Sequence, residues 1–484
     1  MRHALLLRRS ITAAALLLAS TAGCKATLEG NLPREPKTEV PDGYGAGAAA
    51  AQTASDEAVQ RFWKDLFADP DLQALIRAAM ETNQELAVLR QEIIIAKAEI
   101  GARRGEYIPR LGAQAGAGIE KVGDFTSQGV SDEAHDVAVH LPDFRFGLVA
   151  SWEVDIWGRL RNLKQAAQKA YLATIEAKNF FVTELVAEIA KSYFELVALD
   201  KQIDIVERNL QIQRDALEIV RQKKIAAEET ELGVQRLAAE VLKNEGVLAN
   251  LAQERVALEN RINFLVGRYP QPVRRNHRLF DAGAPDKAVV GLPSALLDNR
   301  PDVRRAAREL EAAKLDAKAA KKRFYPSLTI DAAAGYHAFD LRHFLATPAS
   351  LVYDVAGSLV APLLNRAAIK AEYQQANARQ IEAVYDFERT LVRAYTETVT
   401  QLAAIQNYAK RYEKISEQVR ALTSAIEMST LLYQSAEADY MEVLLTRRDA
   451  LEAELELVET KKDQWIALVE LYQALGGGWK EHTK

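Results

Sequence analysis

Cys24 is the one thiol among 484 residues. No intrachain disulfide and no cysteine metal cluster can therefore be built, and the chemistry open to this thiol is set by its position. The seven histidines are scattered, with no paired spacing of the kind that holds zinc, and no serine stands in a nucleophile elbow or a triad-like setting. A catalytic reading has no constellation behind it, and no cofactor is implied. The other concentrated chemistry is acidic: Glu228, Glu229 and Glu231 cluster where a helical pattern breaks. An acidic cluster of this kind attracts cations. The plainer account of these and of the other Glu and Lys runs is solvated helix surface.

The surroundings of Cys24 narrow its role. Arg2, Arg8 and Arg9 precede an apolar run from Ile11 to Ala19, then Ser20, Thr21, Ala22 and Gly23 lead to Cys24. This is the anatomy of a secretory signal, too short to span a membrane as a mature helix. Small residues directly before a sole cysteine resemble the cleavage site of bacterial lipoproteins. That resemblance implies diacylglycerol on the Cys24 sulfur and an acyl group on its new amine, an anchor of two or more chains and hence stable. Lys25 stands where inner-membrane retention would show aspartate, so the resemblance implies sorting to the outer membrane.

The elements that carry these groups are mainly helical. Fourteen prolines and 24 glycines are too few for an all-β chain of this length, which is also too long for one compact core. The 62 basic and 67 acidic residues, net −5, give no field suited to a phosphate backbone, so nucleic acid is not an expected partner. No apolar run after the signal reaches the ~18 residues of a spanning helix. Any spanning falls to strands.

The body repeats itself. At a shift of 217, Asn83-Gln84-Glu85-Leu86 falls on Arg300-Pro301-Asp302-Val303 and the stretch ending Pro109-Arg110-Leu111 on the one ending Pro326-Ser327-Leu328. Beyond the next loop the shift becomes 209, placing about eight extra residues of the first copy between Gly123 and Leu141. Ile175, Val182, Ile189, Leu196, Ile203, Leu210 and Leu217 recur at sevens, and the shifted set Val384, Leu391, Thr398, Ile405, Tyr412, Val419 and Ile426 keeps phase. Heptads sustained this far predict long coiled-coil helices, the first from Arg159 to Ile225 and roughly 100 Å long. Each copy reads as helix, two strands, very long helix, turn, helix, with turns near Ala227–Thr230 and Ser435–Asp439. The expected division is a signal peptide at 1–23, a lipidated tether at 24–60, a first repeat at 61–270, a connection at 271–293, a second repeat at 294–478 and a tail at 479–484.

From Phe144 to Ile156 apolar and polar residues alternate; Leu351 to Leu359 does so less cleanly, and Leu111–Ile119 and Leu328–Tyr336 only weakly. Such strands suit a membrane barrel with a lipid face and a wet lumen, and they equally suit a half-buried soluble sheet. Four strands cannot close a barrel alone, since the smallest use about eight. A barrel therefore requires further copies of the chain.

Several segments together resemble the outer-membrane efflux protein family, in its TolC-like lipoprotein branch: Phe62-Trp63 with Asp69-Pro70-Asp71-Leu72, Ser151 through Arg159, Gly291-Leu292-Pro293-Ser294 with Asn299 through Val303, Tyr325-Pro326-Ser327-Leu328, and Leu475-Gly476-Gly477-Gly478-Trp479. The resemblance implies a homotrimer with a twelve-stranded barrel in the outer membrane and a coiled-coil tunnel of helices through the periplasm. It also implies two partners, a periplasmic adaptor and an inner-membrane transporter of the resistance-nodulation-division type. The rival is a lipid-anchored periplasmic coiled-coil scaffold with no channel. Where the family shows a Phe-Asp-Gly-Gly-Arg-like turn, this chain has Ala361-Pro362-Leu363-Leu364-Asn365-Arg366, with Asn365 expected to cap the long helix. In the family, acidic and apolar residues after the second helical turn constrict a periplasmic gate. Matched from Ala436, the acidic position falls on Glu442 and the apolar one on Met441, while a second acidic position falls on Leu445 and a basic one on Arg448. Glu228, Glu229 and Glu231 form the acidic group at the first turn. Substrate identity is not legible.

Overall fold

The computed structural model describes residues 33–44, 51–53, 67–284, 288–290, 292–364, 366–435, 437–477 and 479. Cys24, Phe62-Trp63 and Asn365, which carry the expected lipid site, the start of the folded body and a helix cap, lie outside the described residues.

In chain order, strand β1 (Ala51–Thr53) precedes helices α1 (Pro70–Thr82) and α2 (Gln84–Tyr107). Strand β2 (Arg110–Glu120), helix α3 (Ser127–Ala134) and strand β3 (Leu141–Val154) lead to α4 (Arg159–Ile225) and α5 (Glu231–Val266). The connection holds α6 (Arg278–Ala282) and β4 (Ala288–Val290). The plan then repeats as α7 (Leu296–Asn299), α8 (Pro301–Lys322), β5 (Ser327–Ala338), β6 (Leu351–Val360), α9 (Ala367–Gln434) and α10 (Tyr440–Ala474). Two features go beyond the sequence reading. The extra residues of the first copy, between β2 and β3, fold into α3, capped by Thr126 Oγ1 accepting from Gly129 N at 3.0 Å, and β1 pairs in parallel with β4.

The chain divides into two compact units. One comprises the described residues of Met1–Glu35, Arg103–Ala166 and Ala313–Glu382 and contains the antiparallel sheet, in the order β2-β3-β5-β6. The other comprises the described residues of Pro36–Ala102, Ala167–Ala312 and Ala383–Lys484 and is mainly helical.

The heptads explain the core of the helical unit. In α4, Val182, Ile189, Leu196, Ile203, Leu210 and Leu217 are buried and Ile175 is half-buried. In α9 the seam buries Val384, Leu391, Thr398 and Ile405, whereas Tyr412, Val419 and Ile426 are only half-buried within one chain. A seam keeping its sevens while losing its cover asks for a further helix surface. The largest core side chains include Tyr193 and Phe194 of α4 and Trp465 of α10, with Phe194 stacked on Trp465 at 4.7 Å between ring centroids. Each such burial stabilises by roughly 1.5–3 kcal/mol.

Local motifs account for the helix ends. In Asp69-Pro70-Asp71-Leu72, Asp69 Oδ1 accepts from Asp71 N at 2.8 Å, Pro70 opens α1, and Leu72 is fully buried. Asp69 is thereby an N-cap followed by proline at the position where a missing N–H costs nothing. Its Oδ2 accepts from Tyr193 Oη at 3.0 Å, and Tyr193 Oη in turn accepts from Asn276 N at 2.9 Å. Burial pushes the Tyr193 phenol above its usual pKa, despite the opposing Asn276 N–H.

Candidate gate at the helical turns and candidate membrane face of the sheet

The two turns of the helical unit fall at residues 226–230 and 435–439. In the first, Glu228 N donates to Lys223 O at 2.9 Å and Ala227 N to Lys224 O at 3.0 Å, with Ala227 at φ 59°. These paired bonds end α4 in a left-handed cap, here on an alanine where glycine is usual. Glu437 N donates to Leu432 O at 2.9 Å in the corresponding place of the second turn. Thr230 caps α5 by accepting from Gly233 N at 3.2 Å, and Asp439 caps α10 by accepting from Met441 N at 3.3 Å.

Packing then fixes the turns. Leu210, Leu217 and Val220 of α4 meet Val234, Leu237 and Val241 of α5, and Tyr440 and Leu444 of α10 pack against this cluster. Lys223 Nζ donates to Tyr433 Oη at 2.7 Å and lies 4.4 Å from its ring centroid, while Tyr433 and Tyr440 rings are 5.0 Å apart. The Tyr433 hydroxyl raises the Lys223 pKa. One lysine thus ties the end of α4 to the end of α9, through a cation–π contact and a hydrogen bond. Nothing local in the sequence marks Lys223 or Tyr433, since the pair lies 210 positions apart.

The expected gate residues separate into two groups. Glu442 is exposed and its carboxylate makes no ion pair with a described residue; Met441 is half-buried, and Leu445 is 43% exposed. Arg448 donates to Asp449 of its own helix at 2.9 Å, which raises its pKa, with a smaller contribution from Glu240 on α5. At the first turn, Glu231 accepts from Gln235 at 2.6 Å and pairs with Lys224, which together hold its carboxyl below the usual range. Glu229 folds back to accept from Thr230 N at 2.9 Å. Glu228 is exposed. No hydrogen bond or ion pair among the described residues joins Glu442 to Glu228, Glu229 or Glu231.

In the sheet unit, the pairing register merges four alternations of unequal strength into one pattern. Leu111, Ala150, Ala332 and Val355 fall in one row across the sheet, and Ala113, Leu148, Ala334 and Tyr353 in the next. Phe146, Tyr336 and Leu351 continue that face, as do Trp152 with Ile330 and Val154 with Leu328 and Leu359. No charged residue stands on it. The opposite face carries Arg110, Gln114, Arg145, Glu153, Asp331, His337 and Asp354 among small residues. There Ser151 Oγ donates to Asp331 Oδ1 at 2.6 Å, and His337 Nε2 lies 2.8 Å from Asp143 Oδ1. Only glycine fits where β3 and β5 cross most closely: a Cβ on Gly335 would stand 2.3 Å from the Phe146 carbonyl oxygen. On the apolar face Tyr353 is 82% and Leu111 72% exposed. Among the described residues β2 and β6 each have a strand neighbour on one side only, and such open edges are surfaces for pairing with another chain.

Among the described residues, no helix is long and apolar enough to cross a membrane and no group of three or more His, Cys, Asp or Glu is placed to hold a metal.

Comparison with known proteins agrees with this anatomy. The profile of the family described as Outer membrane efflux protein matches residues 75–268 and 292–477. The chain is 28% identical over 474 residues to the solvent efflux pump outer membrane protein SrpC of Pseudomonas putida, covering 97% of this chain and 98% of that one. It is 24% identical over 455 residues to the probable outer membrane lipoprotein SilC of Salmonella typhimurium, covering 93% and 95%. Among solved structures, the open state of the Neisseria gonorrhoeae MtrE outer membrane channel superposes with a TM-score of 0.79 at 26% identity, covering 94% of this chain and 99% of that one.

Proposed function

Because the chain belongs to the outer membrane efflux protein family, we propose that it is the outer-membrane exit duct of a tripartite efflux system, taking substrates from a periplasmic adaptor and an inner-membrane transporter and conducting them passively outward. It does no chemistry on its cargo, and its energy comes from the partner pump. Three copies join their sheets, four strands from each, into a twelve-stranded barrel in the outer membrane. Their helices form the coiled-coil tunnel below it, in the periplasm. Cys24 carries the lipid that holds each copy to the membrane, a reading supported by the similarity to SilC. The transporter is of the resistance-nodulation-division type. Gating falls to the helical turns, with Met441, Glu442, Leu445 and Arg448 after one and Glu228, Glu229 and Glu231 around the other.

The observation that carries this reading is the uncharged face running unbroken across four strands whose outer edges are both unpaired. Within one chain that face is left in water at a cost of about 25 cal/mol per Å² of apolar surface. A lipid-facing barrel closed by further copies removes both the exposed apolar face and the open edges. The half-covered heptads of α9 support the same conclusion from the helical unit.

A planar-bilayer measurement tests it. The purified protein is expected to give discrete channel conductance and, in detergent, a mass of three chains. A stable monomer without conductance supports the lipid-anchored scaffold instead.

A further inference from the structure

We propose that the sheet unit carries a binding site for the phosphate of an anionic lipid headgroup, in a cavity of 580 Å³ formed where β3 passes into α4 and α8 passes into β5. Arg161, Asn162, Lys318, Lys321 and Lys322 line it, together with the ring pair of Trp157 and Tyr325. The inference rests on the reading of the sheet as membrane-embedded, and it adds a ligand and the residues that hold it.

Charge is the first argument. Lys318, Lys321 and Lys322 stand at i, i+3 and i+4 of α8 and so share one helix face. Among the described residues, none of them has a carboxylate within ion-pair distance. The nearby carboxylates are already committed: Glu153, which lines an adjoining cavity with Asp155 and Lys322, pairs with Arg159 at 2.7 Å. Asp155 Oδ1 accepts from Leu160 N at 3.0 Å and Oδ2 from Arg161 N at 2.9 Å, capping α4, and Arg161 Nε sits 3.3 Å from the same Oδ2. With its side chain 2% exposed, Asp155 offers little to the three lysines. Complementing the negative end of α8 accounts for Lys321 and Lys322 in its last turn, an effect confined to that turn. It accounts for neither Lys318 nor the space in front of all three.

Position is the second argument. Trp157 follows β3 by three residues and Tyr325 precedes β5 by two. Their rings stack at 5.1 Å, Trp157 Nε1 donates to Pro326 O at 2.7 Å, and Lys322 Nζ lies 5.4 Å from the Tyr325 centroid. Aromatic rings with one wet edge gather at the level of lipid headgroups. The cavity therefore opens where the uncharged face of β3 and β5 ends, which is where phosphates lie. Cations at that depth attract anionic lipid. The amides of Asn162 and Gln165, which also line the cavity, can donate to phosphate or glycerol oxygens.

The test uses the full-length protein in bilayer nanodiscs of zwitterionic lipid doped with spin-labelled phosphatidylglycerol or spin-labelled phosphatidylcholine, reading the immobilised fraction by electron paramagnetic resonance. The wild type is expected to retain phosphatidylglycerol over phosphatidylcholine by about fivefold or more. K318Q/K321Q/K322Q brings the ratio near one, and the charge-preserving K318R/K321R/K322R keeps it. Equal retention of the two lipids by the wild type, or a ratio unmoved in the glutamine variant, overturns the site. Displacement of the labelled phosphatidylglycerol by millimolar inorganic phosphate assigns the cavity to the free anion and overturns the lipid. Conductance measured on the same preparation keeps the two readings apart. Intact channels with equal lipid retention overturn this site alone, and a lipid preference without channels overturns the duct alone.

Discussion

Gly476 repeats the backbone geometry of Gly267 at the shift that aligns the two halves: φ is 75° at one and 81° at the other. Each ends the last helix of its repeat with the same pair of bonds, Gly267 N to Phe264 O with Arg268 N to Asn263 O, and Gly476 N to Gln473 O with Gly477 N to Tyr472 O. Each also lies against the last residue of the helix that precedes a long helix of its repeat, Thr82 at the end of α1 and Asn299 at the end of α7. A Cβ on Gly267 would stand 2.4 Å from Thr82 O, and one on Gly476 2.6 Å from Asn299 O. The next residues, Asn83 and Arg300, reach back to the same helix ends, donating to Leu265 O and to Ala474 O, each at 2.8 Å. The internal repeat is thus a repeat of a docking joint as well as of a helix pattern.

Gly267→Ala and Gly476→Ala should each destabilise the helical unit by about 1–3 kcal/mol, because alanine meets both the left-handed strain and the carbonyl contact. Urea unfolding followed by far-ultraviolet circular dichroism reads this directly. A variant as stable as the wild type would show that the joint relaxes freely.

Glu184 gives the protein a pH dependence. Burial raises its pKa, Asp302, Glu188 and Glu397 raise it further, and Arg393 opposes them. Between the ordinary carboxyl value and this raised one the folded state binds more protons than the unfolded state, so stability falls as pH rises through that window. Glu184→Gln removes the penalty. The variant should melt higher than the wild type at pH 8 and nearly together with it at pH 4. An equal difference at both pH values would show that Glu184 does not titrate in this window.

Cys24→Ser should abolish incorporation of labelled palmitate and weaken retention in the outer-membrane fraction, since this is the one thiol available for acylation. Unchanged labelling assigns the lipid to another group.

Glu442→Ala probes the gate. Its exposed carboxylate, without an ion-pair partner among the described residues, becomes part of a ring of like charges if it faces the axis of the assembly, and such a ring favours cations. Divalent-cation block applied from the periplasmic side should weaken several-fold and cation selectivity should fall. Identical block with the trimer intact would make Glu442 a surface charge and move the gate elsewhere.

The two very long helices were legible in the sequence because a heptad is a local periodicity: Ile175 to Leu217 and their counterparts need no knowledge of the partner helix. Both helical turns fall where the sequence reading put them, and the structure adds that Thr230 and Asp439 cap the helices that follow. The strands Leu111–Ile119 and Leu328–Tyr336 were readable as weakly alternating, but their alanines and glycines hide which face is apolar. Register decided that, by setting Ala113 beside Leu148 and Ala332 beside Ala150. Ala227 as a left-handed cap was invisible, because glycine is the usual signal and packing overrode it. The link between Lys223 and Tyr433, and the cavity that brings Trp157 to Lys318, belong to tertiary structure alone. Each joins side chains more than 150 positions apart. The sequence by itself determined the heptad helices and the places of their turns, whose signals repeat or break within a helical turn. Only folding could decide the faces and sites formed by residues from different halves, because charge and apolar surface act through space and not along the chain.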